Sequence, residues 1–137
     1  MPKTSSVMTR DVQTLHPTDT LQQAAKLMES LDVGSLPVCD GGRVVGMLTD
    51  RDITVRATAL GLAASTTVEA VMSNDVVCCQ EDDDIEQLQQ VMSESQVRRV
   101  PILGRDDNLV GIVSLGDLAL RQSADIDDVV REVSTPS

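Results

Sequence analysis

The sequence of 137 residues contains no phenylalanine, tyrosine or tryptophan. The missing aromatic rings exclude the stacking platforms on which single-stranded nucleic acids are usually bound. Positive charge is also scarce, because 11 Lys and Arg residues face 22 Asp and Glu residues, giving a formal net charge of −11. Such a surface repels a phosphate backbone. We therefore expect no nucleic-acid partner.

Long apolar runs are missing as well. No run approaches the roughly 18 residues that a membrane-spanning helix needs. The first six residues also lack the apolar stretch of a secretion signal. These two observations predict a cytoplasmic protein with no membrane partner.

Side chains suited to catalysis or metal binding are few. The single histidine, His16, has no visible partner, and Cys39, Cys78 and Cys79 lack the spacing of zinc ligands. We interpret the cysteines as small buried side chains, with a redox role of Cys39 together with Cys78 or Cys79 as the alternative. The acidic run at residues 81–84 lacks the glycine spacing of a calcium loop and suits a helix start in any case. The sequence predicts neither an enzyme nor a metal site.

The chain is an internal duplication. At an offset of 64 residues, segment 7–12 aligns with segment 71–76; after one extra residue in a turn, the match resumes at an offset of 65. The matched pairs include Gln23 with Gln87, Met28 with Met92, Pro37 with Pro101, Gly46 with Gly111, Asp52 with Asp117 and Arg56 with Arg121.

Each copy predicts the same order of elements. Short β-branched runs at 11–15 and 75–79 predict strands. Capping-box spacing then predicts helix starts at Thr20 with Gln23 and at Asp83 with Glu86, followed by apolar residues at helical period. Two further apolar strands and a second helix complete each copy; the strands are predicted at 36–39, 44–48, 100–103 and 109–113, and the second helices begin at 49 and 114.

The predicted fold class is therefore α/β (α+β). It is a tandem pair of βαββα units packed through their sheets with pseudo-two-fold symmetry, since neither copy of about 50 residues buries enough surface alone. The predicted boundaries are 7–60 for the first unit, 61–70 for a linker, 71–122 for the second unit and 123–137 for an acidic tail that forms a short helix.

The paired motifs Thr49…Asp52 and Ser114…Asp117 are the most informative polar residues, because both follow an apolar strand and open a helix. One interpretation is structural: each hydroxyl is an N-cap, and each aspartate suits the positive end of the helix dipole. The other is a ligand site, in which N–H groups at the helix start hold a phosphate and the carboxylate accepts hydrogen bonds from a ribose diol.

These motifs resemble those of the CBS domain, named after cystathionine β-synthase. The resemblance rests on Gly46 to Asp52 and Gly111 to Asp117, on the Val-Met-Thr-x-Asp-Val opening at 7–12, on the Leu-Pro-Val and Val-Pro-Ile strands, and on the tandem arrangement. It covers about residues 7 to 121. The chain looks most like small stand-alone bacterial CBS-pair proteins, including those of hypoxic and stress responses.

The resemblance implies two pseudo-symmetric ligand sites in a cleft between the copies. In such pairs the aspartate binds ribose, the hydroxyl lies near sugar or phosphate, the first strand of the opposite copy contacts the base, and the residues before the central proline line base and phosphate. Carried over to this sequence, the implied ligand-binding residues are Thr14, Val33, Gly34, Ser35, Thr49, Arg51, Asp52, Cys78, Val97, Arg98, Arg99, Ser114 and Asp117.

The two implied sites differ in their polar groups. The Ser114/Asp117 site is expected to draw on Thr14 and on Arg98 or Arg99, whose guanidinium groups suit phosphate. The Thr49/Asp52 site is expected to face Cys78, a poor replacement for threonine, and to take positive charge from Arg51. We therefore predict that the Ser114/Asp117 site is the tighter one. Surface solubility or a salt bridge in a dimer is the alternative role of the two adjacent arginines.

The function implied is a non-catalytic regulatory module. Its ligand is expected to be an adenosine-containing nucleotide, AMP, ADP or ATP, with NAD or S-adenosylmethionine as other members of that class; no cofactor is required. Because no effector domain is visible in the sequence, the output is expected to be a homodimer or an effector protein. The alternative is a ligand-free structural dimer or scaffold that has kept the fold.

Overall fold

The computed structural model describes residues 2–120. Its first half contains α1 (Leu21–Leu31), β1 (Ser35–Asp40), β2 (Arg43–Thr49) and α2 (Asp50–Asp52), which continues through a π-helical segment (Ile53–Ala57) and a 3-10 turn (Thr58–Leu60). The second half contains β3 (Cys79–Gln80), α3 (Ile85–Ser95), β4 (Arg99–Leu103), β5 (Leu109–Ser114) and α4 (115–120). Short 3-10 turns lie at Thr4–Ser6, Val68–Ala70 and Arg105–Asp107.

The sheets confirm the predicted α/β class, and the order of helix, strand and strand recurs in both halves. Strands β1 and β2 pair antiparallel, with Leu36 opposite Leu48. Strands β3, β4 and β5 form a second sheet, in which β3 runs parallel to β4 and β5 antiparallel to it, with Val100 opposite Val113. Within residues 2–120, no helix is both long and apolar enough to span a bilayer.

The predicted first strands are largely absent. No strand forms over 11–15, where only Leu15 makes a parallel bridge to Val38, and the strand predicted over 75–79 is reduced to Cys79–Gln80. The reason is that each segment crosses between the two sheets. Thr9 bridges Ile112 of the second half before the chain reaches Val38 of the first. Residues between the two bridges have no neighbouring strand to pair with.

The helix starts are confirmed for α1 and shifted for α3. Thr20 Oγ1 accepts from Gln23 N–H at 3.1 Å, and Gln23 Oε1 accepts from Thr20 N–H at 2.8 Å. The prediction of Asp83 with Glu86 for α3 is wrong by one residue, because Asp84 N–H donates to Gln87 Oε1 at 3.0 Å. Asp83 instead accepts from Gln80 N–H within the preceding turn, at 2.9 Å.

Two apolar cores form, one in each half. Each core also contacts the segment that opens the other copy. The first contains α1, β1 and β2 side chains together with Val68 and Val71. The second contains α3, β4 and β5 side chains, against which Val7 and Met8 pack. The segments that open the two copies are thus exchanged. The unit boundaries 7–60, 61–70 and 71–122 stay sequence predictions, and the tail 123–137 lies outside the described residues.

Gly46 and Gly111 allow these exchanged segments to approach the sheets closely. A Cβ atom on Gly46 would lie 2.6 Å from Met72 Sδ and 2.9 Å from Ser73 O. A Cβ atom on Gly111 would lie 2.6 Å from Met8 Sδ and 3.0 Å from Thr9 O. The duplicated glycines therefore mark the two places where backbone crosses a strand without room for a side chain.

Substitution of these glycines by alanine is expected to destabilise the fold. Gly46→Ala and Gly111→Ala must each displace backbone, so each should lower the free energy of unfolding by about 1–3 kcal/mol. Gly116→Ala is the matched control: its Cβ would come no closer than 3.6 Å to Ser114 Oγ, and alanine favours a helix by roughly 0.5–1 kcal/mol. Urea unfolding followed by circular dichroism measures all three. Equal stability of Gly46→Ala and the wild type would contradict the close-approach explanation.

Candidate functional site

Two adjoining cavities lie between the halves. The larger, here called the Asp52 cavity, has a volume of about 780 Å³. The smaller, here called the Asp117 cavity, has a volume of about 230 Å³. Of the residues predicted from the resemblance, the Asp52 cavity is lined by Val33, Gly34, Ser35, Thr49, Arg51, Asp52, Val97, Arg98 and Arg99, and the Asp117 cavity by Val33, Ser35, Arg99, Ser114 and Asp117.

Asp52 is held at its cavity wall by a reciprocal cap. Thr49 Oγ1 accepts from Asp52 N–H at 3.0 Å, and Asp52 Oδ2 accepts from Thr49 N–H at 3.0 Å. The Asp52 side chain is 16 % exposed, and its Oδ1 atom lies 3.9 Å from Arg56 Nε. The carboxylate is therefore fixed in direction, while part of its surface stays accessible to a ligand.

The duplicated motif has the same geometry in the second half. Ser114 N–H donates to Asp117 Oδ2 at 3.0 Å, and Asp117 N–H donates to Ser114 Oγ at 3.1 Å. Both side chains are half-buried. The N-cap interpretation of the hydroxyls is thus confirmed in both copies. It leaves each hydroxyl proton able to donate a further hydrogen bond, because only the oxygen is used by the cap.

The helix starts do not offer the N–H groups expected for phosphate. In α2, Asp50 N–H donates to Gly34 O at 2.9 Å, and Arg51 N–H donates to the Asp50 carboxylate at 2.8 Å. In α4, Leu115 N–H donates to Arg98 O at 2.7 Å. The expectation that main-chain N–H groups bind a phosphate here is therefore wrong for these three residues. At these three positions, a phosphate contact would have to come from side chains.

The arginines are divided unequally between the two cavities. Arg98 lines the Asp52 cavity and not the Asp117 cavity, whereas Arg99 is half-buried and lines both. Arg51 adds a third guanidinium to the Asp52 cavity. Of the two arginines expected at the Ser114/Asp117 site, Arg99 is therefore the one that lines it, and the predicted order of affinity of the two sites stays a prediction. Asp32, Asp50, Asp52 and Asp75 line the same larger cavity, so its walls carry charges of both signs.

Thr14 and Cys78 are not at the cavities to which they were assigned. Exposed Thr14 lines a separate space of about 390 Å³ beside His16 and Cys39, and half-buried Cys78 lines neither the Asp52 nor the Asp117 cavity. Their places are taken by residues a little earlier in each crossing segment. These are Val12 and Gln13 at the Asp117 cavity, and Val76 and Val77 at the Asp52 cavity.

Sequence reasoning missed those four residues because it assumed regular strands there. The available signal was the duplication itself, since Val12 aligns with Val76 at the offset of 64. Gln96 was also missed. It is the left-handed C-cap of α3, with φ 54°, and it lines the Asp52 cavity. The corresponding residue of the first copy, Asp32, has the same backbone conformation at the end of α1.

The cysteines are poor candidates for nucleophiles. Burial raises the pKa of the Cys39 and Cys78 thiols above the ordinary value. Burial, reinforced by the charge of Asp83, raises the pKa of Cys79 to about 11. Because the thiolate is the reactive form, all three side chains are predominantly protonated thiols at neutral pH. This fits the interpretation of the cysteines as small, largely apolar side chains.

The remaining polar candidates have structural roles. His16 Nδ1 lies 2.8 Å from Thr18 Oγ1 in an exposed turn, and its Nε2 lies 3.8 Å from Asp40. Within the part of the chain that the structure describes, no group of three or more His, Cys, Asp or Glu side chains is arranged to hold a metal ion.

Known proteins share this architecture. The profile of the CBS domain matches residues 5–57 and 68–124, and the chain belongs to the CBS-domain family, as the sequence motifs predicted. It is similar to the CBS domain-containing protein YhcV of Bacillus subtilis (strain 168), with 45 % identity over 122 residues that cover 89 % of this chain and 86 % of YhcV. Hypoxic response protein 1 of Mycobacterium tuberculosis is 41 % identical over 103 residues, which cover 74 % of this chain and 71 % of that protein. The predicted likeness to hypoxic-response proteins is confirmed.

Solved structures extend the comparison. The crystal structure of Hypoxic Response Protein I with two coordinated zinc ions superimposes with a TM-score of 0.80 at 36 % identity, covering 87 % of this chain and 98 % of that one. The CBS domain pair of protein MJ0100, in complex with 5′-methylthioadenosine and S-adenosyl-L-methionine, superimposes with a TM-score of 0.80 at 25 % identity, covering 91 % of this chain and 98 % of that one.

Proposed function

We propose that this chain is a non-catalytic sensor that binds an adenosine-containing nucleotide, AMP, ADP or ATP, in the Asp52 cavity. The carrying observation is the carboxylate of Asp52, fixed by its cap at the wall of a cavity of about 780 Å³. That volume lies within the range of roughly 300–1,000 Å³ that small-molecule sites occupy. The adenosyl ligands in the MJ0100 domain pair support the ligand class.

Each part of such a ligand has a chemically suited partner in the cavity. Asp52 accepts hydrogen bonds from the ribose diol. Arg51, Arg98 and Arg99 provide guanidinium groups for phosphate. The purine has no aromatic ring to stack on, so the aliphatic side chains of the lining, including Val33, must sandwich it. NAD and S-adenosylmethionine present the same adenosine and are the other members of the proposed class.

A thermal-melt screen against AMP, ATP, NAD, S-adenosylmethionine and cyclic dinucleotides tests the proposal. A ligand present at a hundred times its dissociation constant should stabilise the folded chain by about 2.7 kcal/mol. We expect the largest shift from AMP or ATP. If none of the five raises the melting temperature, nucleotide sensing is wrong, and a ligand-free scaffold that has kept the fold takes its place.

We also propose that the cytoplasmic chain signals as a homodimer or through an effector protein. Support comes from large apolar side chains on the helical surface that are mostly exposed in one chain: Leu60 (72 %), Leu115 (53 %) and Leu120 (73 %). Burying them against a second copy or a partner is favourable. Sedimentation equilibrium should report twice the 14.7 kDa of one chain. A single-chain mass at micromolar concentration would leave the effector protein as the only output.

A further inference from the structure

A groove of about 610 Å³ lies between α3 and α4 of the second half and is here called the α3–α4 groove. Most of its lining is apolar, and the apolar side chains are Met92, Val97, Leu115, Leu118 and Ala119. Among the described residues, Arg98 is the only charged one in the lining. The groove therefore offers an apolar surface with a single positive charge.

The α3–α4 groove shares a wall with the Asp52 cavity. Gln96, Val97 and Arg98, which connect α3 to β4, line both spaces. A guanidinium binds a carboxylate or a phosphate through paired hydrogen bonds. The exposed Arg98 side chain can therefore hold an anion in the cavity or an anion in the groove, but its paired donors serve one of them at a time. Occupation of the groove and occupation of the cavity are thus linked through one side chain.

The segment that follows α4 has the composition of an occupant for this groove. Residues 121–137 contain four acidic and two basic residues, and their apolar residues recur at helical spacing at Ile126, Val129, Val130 and Val133. Asp127 and Glu132 flank that apolar stripe on the predicted helix. A helix this short is not stable alone in water and needs its apolar face covered. The segment therefore matches the groove in both apolar surface and charge.

The dimensions agree as well. The described chain reaches residue 120, directly after Leu118 and Ala119 of the groove wall. Residues 121–125 can span up to about 17 Å, more than the roughly 8–10 Å that separates the axes of packed helices. A helix over 126–133 is also as long as the part of α3 that lines the groove, from Gln89 to the C-cap Gln96.

We propose that residues 126–133 dock as a helix in the α3–α4 groove of their own chain, and that a nucleotide phosphate in the Asp52 cavity competes with this segment for Arg98. The competition rests on the proposed function, whereas the docking does not. The chain's own groove is favoured because a short connection gives an effective concentration in the millimolar range. A second copy fits the groove less well, since an isologous dimer pairs a patch with itself and two facing grooves leave space unfilled.

The nucleotide then acts as a release signal. Leu115 lines the groove and is one of the exposed apolar side chains proposed for the output, so the docked segment covers it. Release of the segment exposes Leu115 to an effector protein or a second copy. Leu60 and Leu120 do not line the groove, and they stay available in both states.

Thiol labelling of the full chain tests the docking. Ser93 lines the groove, whereas Ser95 is exposed on the same helix outside it. The reagent is N-ethylmaleimide, and peptide-resolved mass spectrometry separates the new thiol from the native cysteines. The thiol introduced by Ser93→Cys should react about tenfold more slowly than the thiol introduced by Ser95→Cys, as expected for a segment docked about nine tenths of the time.

Two pairs of changes in the segment show whether it causes the protection. Val129→Ser with Val130→Ser removes apolar side chains and should restore fast labelling of Ser93→Cys. Asp128→Ser with Arg131→Ser is the matched control, because it lies on the opposite side of the predicted helix and also leaves the net charge unchanged. The control pair should keep the protection.

Labelling in the presence of AMP tests the competition. A saturating concentration of AMP, verified by calorimetry on the same sample, should speed labelling of Ser93→Cys by about two- to fivefold, the effect of losing one exposed ion pair. Arg98→Gln should cause the same acceleration without AMP, and AMP should then add nothing.

Each result decides one part of the proposal. If Ser93→Cys labels equally fast with and without the valine changes, the docking is overturned. Protection that grows with chain concentration would place the segment or a second copy in the groove of another chain, and would overturn docking within one chain. If AMP binds and the labelling rate stays the same, the competition for Arg98 fails while nucleotide sensing stands. If AMP does not bind, the competition fails together with the proposed function, and the docking is still decided by the labelling without nucleotide.

Discussion

Replacing Asp52 by asparagine is expected to weaken AMP binding by roughly ten- to a hundredfold, the loss that corresponds to one charge-assisted hydrogen bond of about 1.5–3 kcal/mol. The amide oxygen of asparagine can still accept from Thr49 N–H, as Asp52 Oδ2 now does at 3.0 Å, so the cap should survive. The amide nitrogen, however, donates where the carboxylate accepted. The variant therefore separates ligand recognition from helix capping, and calorimetry measures the difference.

Asp32→Asn is the matched control for this experiment. Asp32 lines the same cavity, so its change removes one negative charge from the same walls. It has a left-handed backbone at φ 54°, which asparagine adopts readily. Loss of a negative charge near the phosphates should leave AMP affinity equal or slightly higher. If both variants weakened AMP equally, a general effect of charge would replace the ribose assignment of Asp52.

The parts of the fold that local patterns determine could be predicted from the sequence. The caps at Thr20, Thr49 and Ser114 follow from a short side chain and its partner three residues later, and all three form. The apolar strands of the two hairpins also follow from local pattern, and each is found within a residue or two of its predicted bounds. For α3, the duplication indicates the observed start, because Gln87 aligns with Gln23, whereas the local spacing of acidic residues favours Asp83 with Glu86.

What could not be predicted is long-range geometry. The crossing segments carry β-branched side chains, which are typical of strands. They nevertheless pair only at their ends, where Leu15 bridges Val38 and Cys79 pairs with Ile102. Because the pairing is not regular, Thr14 and Cys78 do not lie at the cavities where regular strands would place them. Which arginine lines which cavity is likewise decided by the packing of one half on the other, so the sequence could not choose between Arg98 and Arg99 for the Asp117 cavity.

The exchanged segments also explain why the two halves belong to one site. Met47 bridges Ser73, and Thr9 bridges Ile112, so each crossing segment begins on a sheet of the opposite half. The bridging residues line the cavities themselves, and so do Val76 and Val12 just beyond them. The cleft is thus built at the points where the chain crosses over. Its geometry depends on both cores being folded.

Leu48→Ala is expected to destabilise the whole chain by about 2–5 kcal/mol, the usual cost of removing a large aliphatic side chain from a core. Leu48 in β2 is fully buried. The loss is a large share of the roughly 5–15 kcal/mol that stabilises a typical domain. Leu62→Ala is the control, since Leu62 is 43 % exposed and its truncation should cost less than about 1 kcal/mol.

The same variant tests whether the halves unfold together. Val68 and Val71 are buried in the first core, while Val7 and Met8 pack against the second. Loss of the first core should therefore release the start of the second half. Intrinsic fluorescence offers no signal in a chain without aromatic residues, so urea unfolding is followed by circular dichroism and combined with hydrogen exchange. We expect one transition and lower protection of Ile85–Ser95 in Leu48→Ala. Unchanged protection of that helix would show that the halves unfold independently despite the exchange.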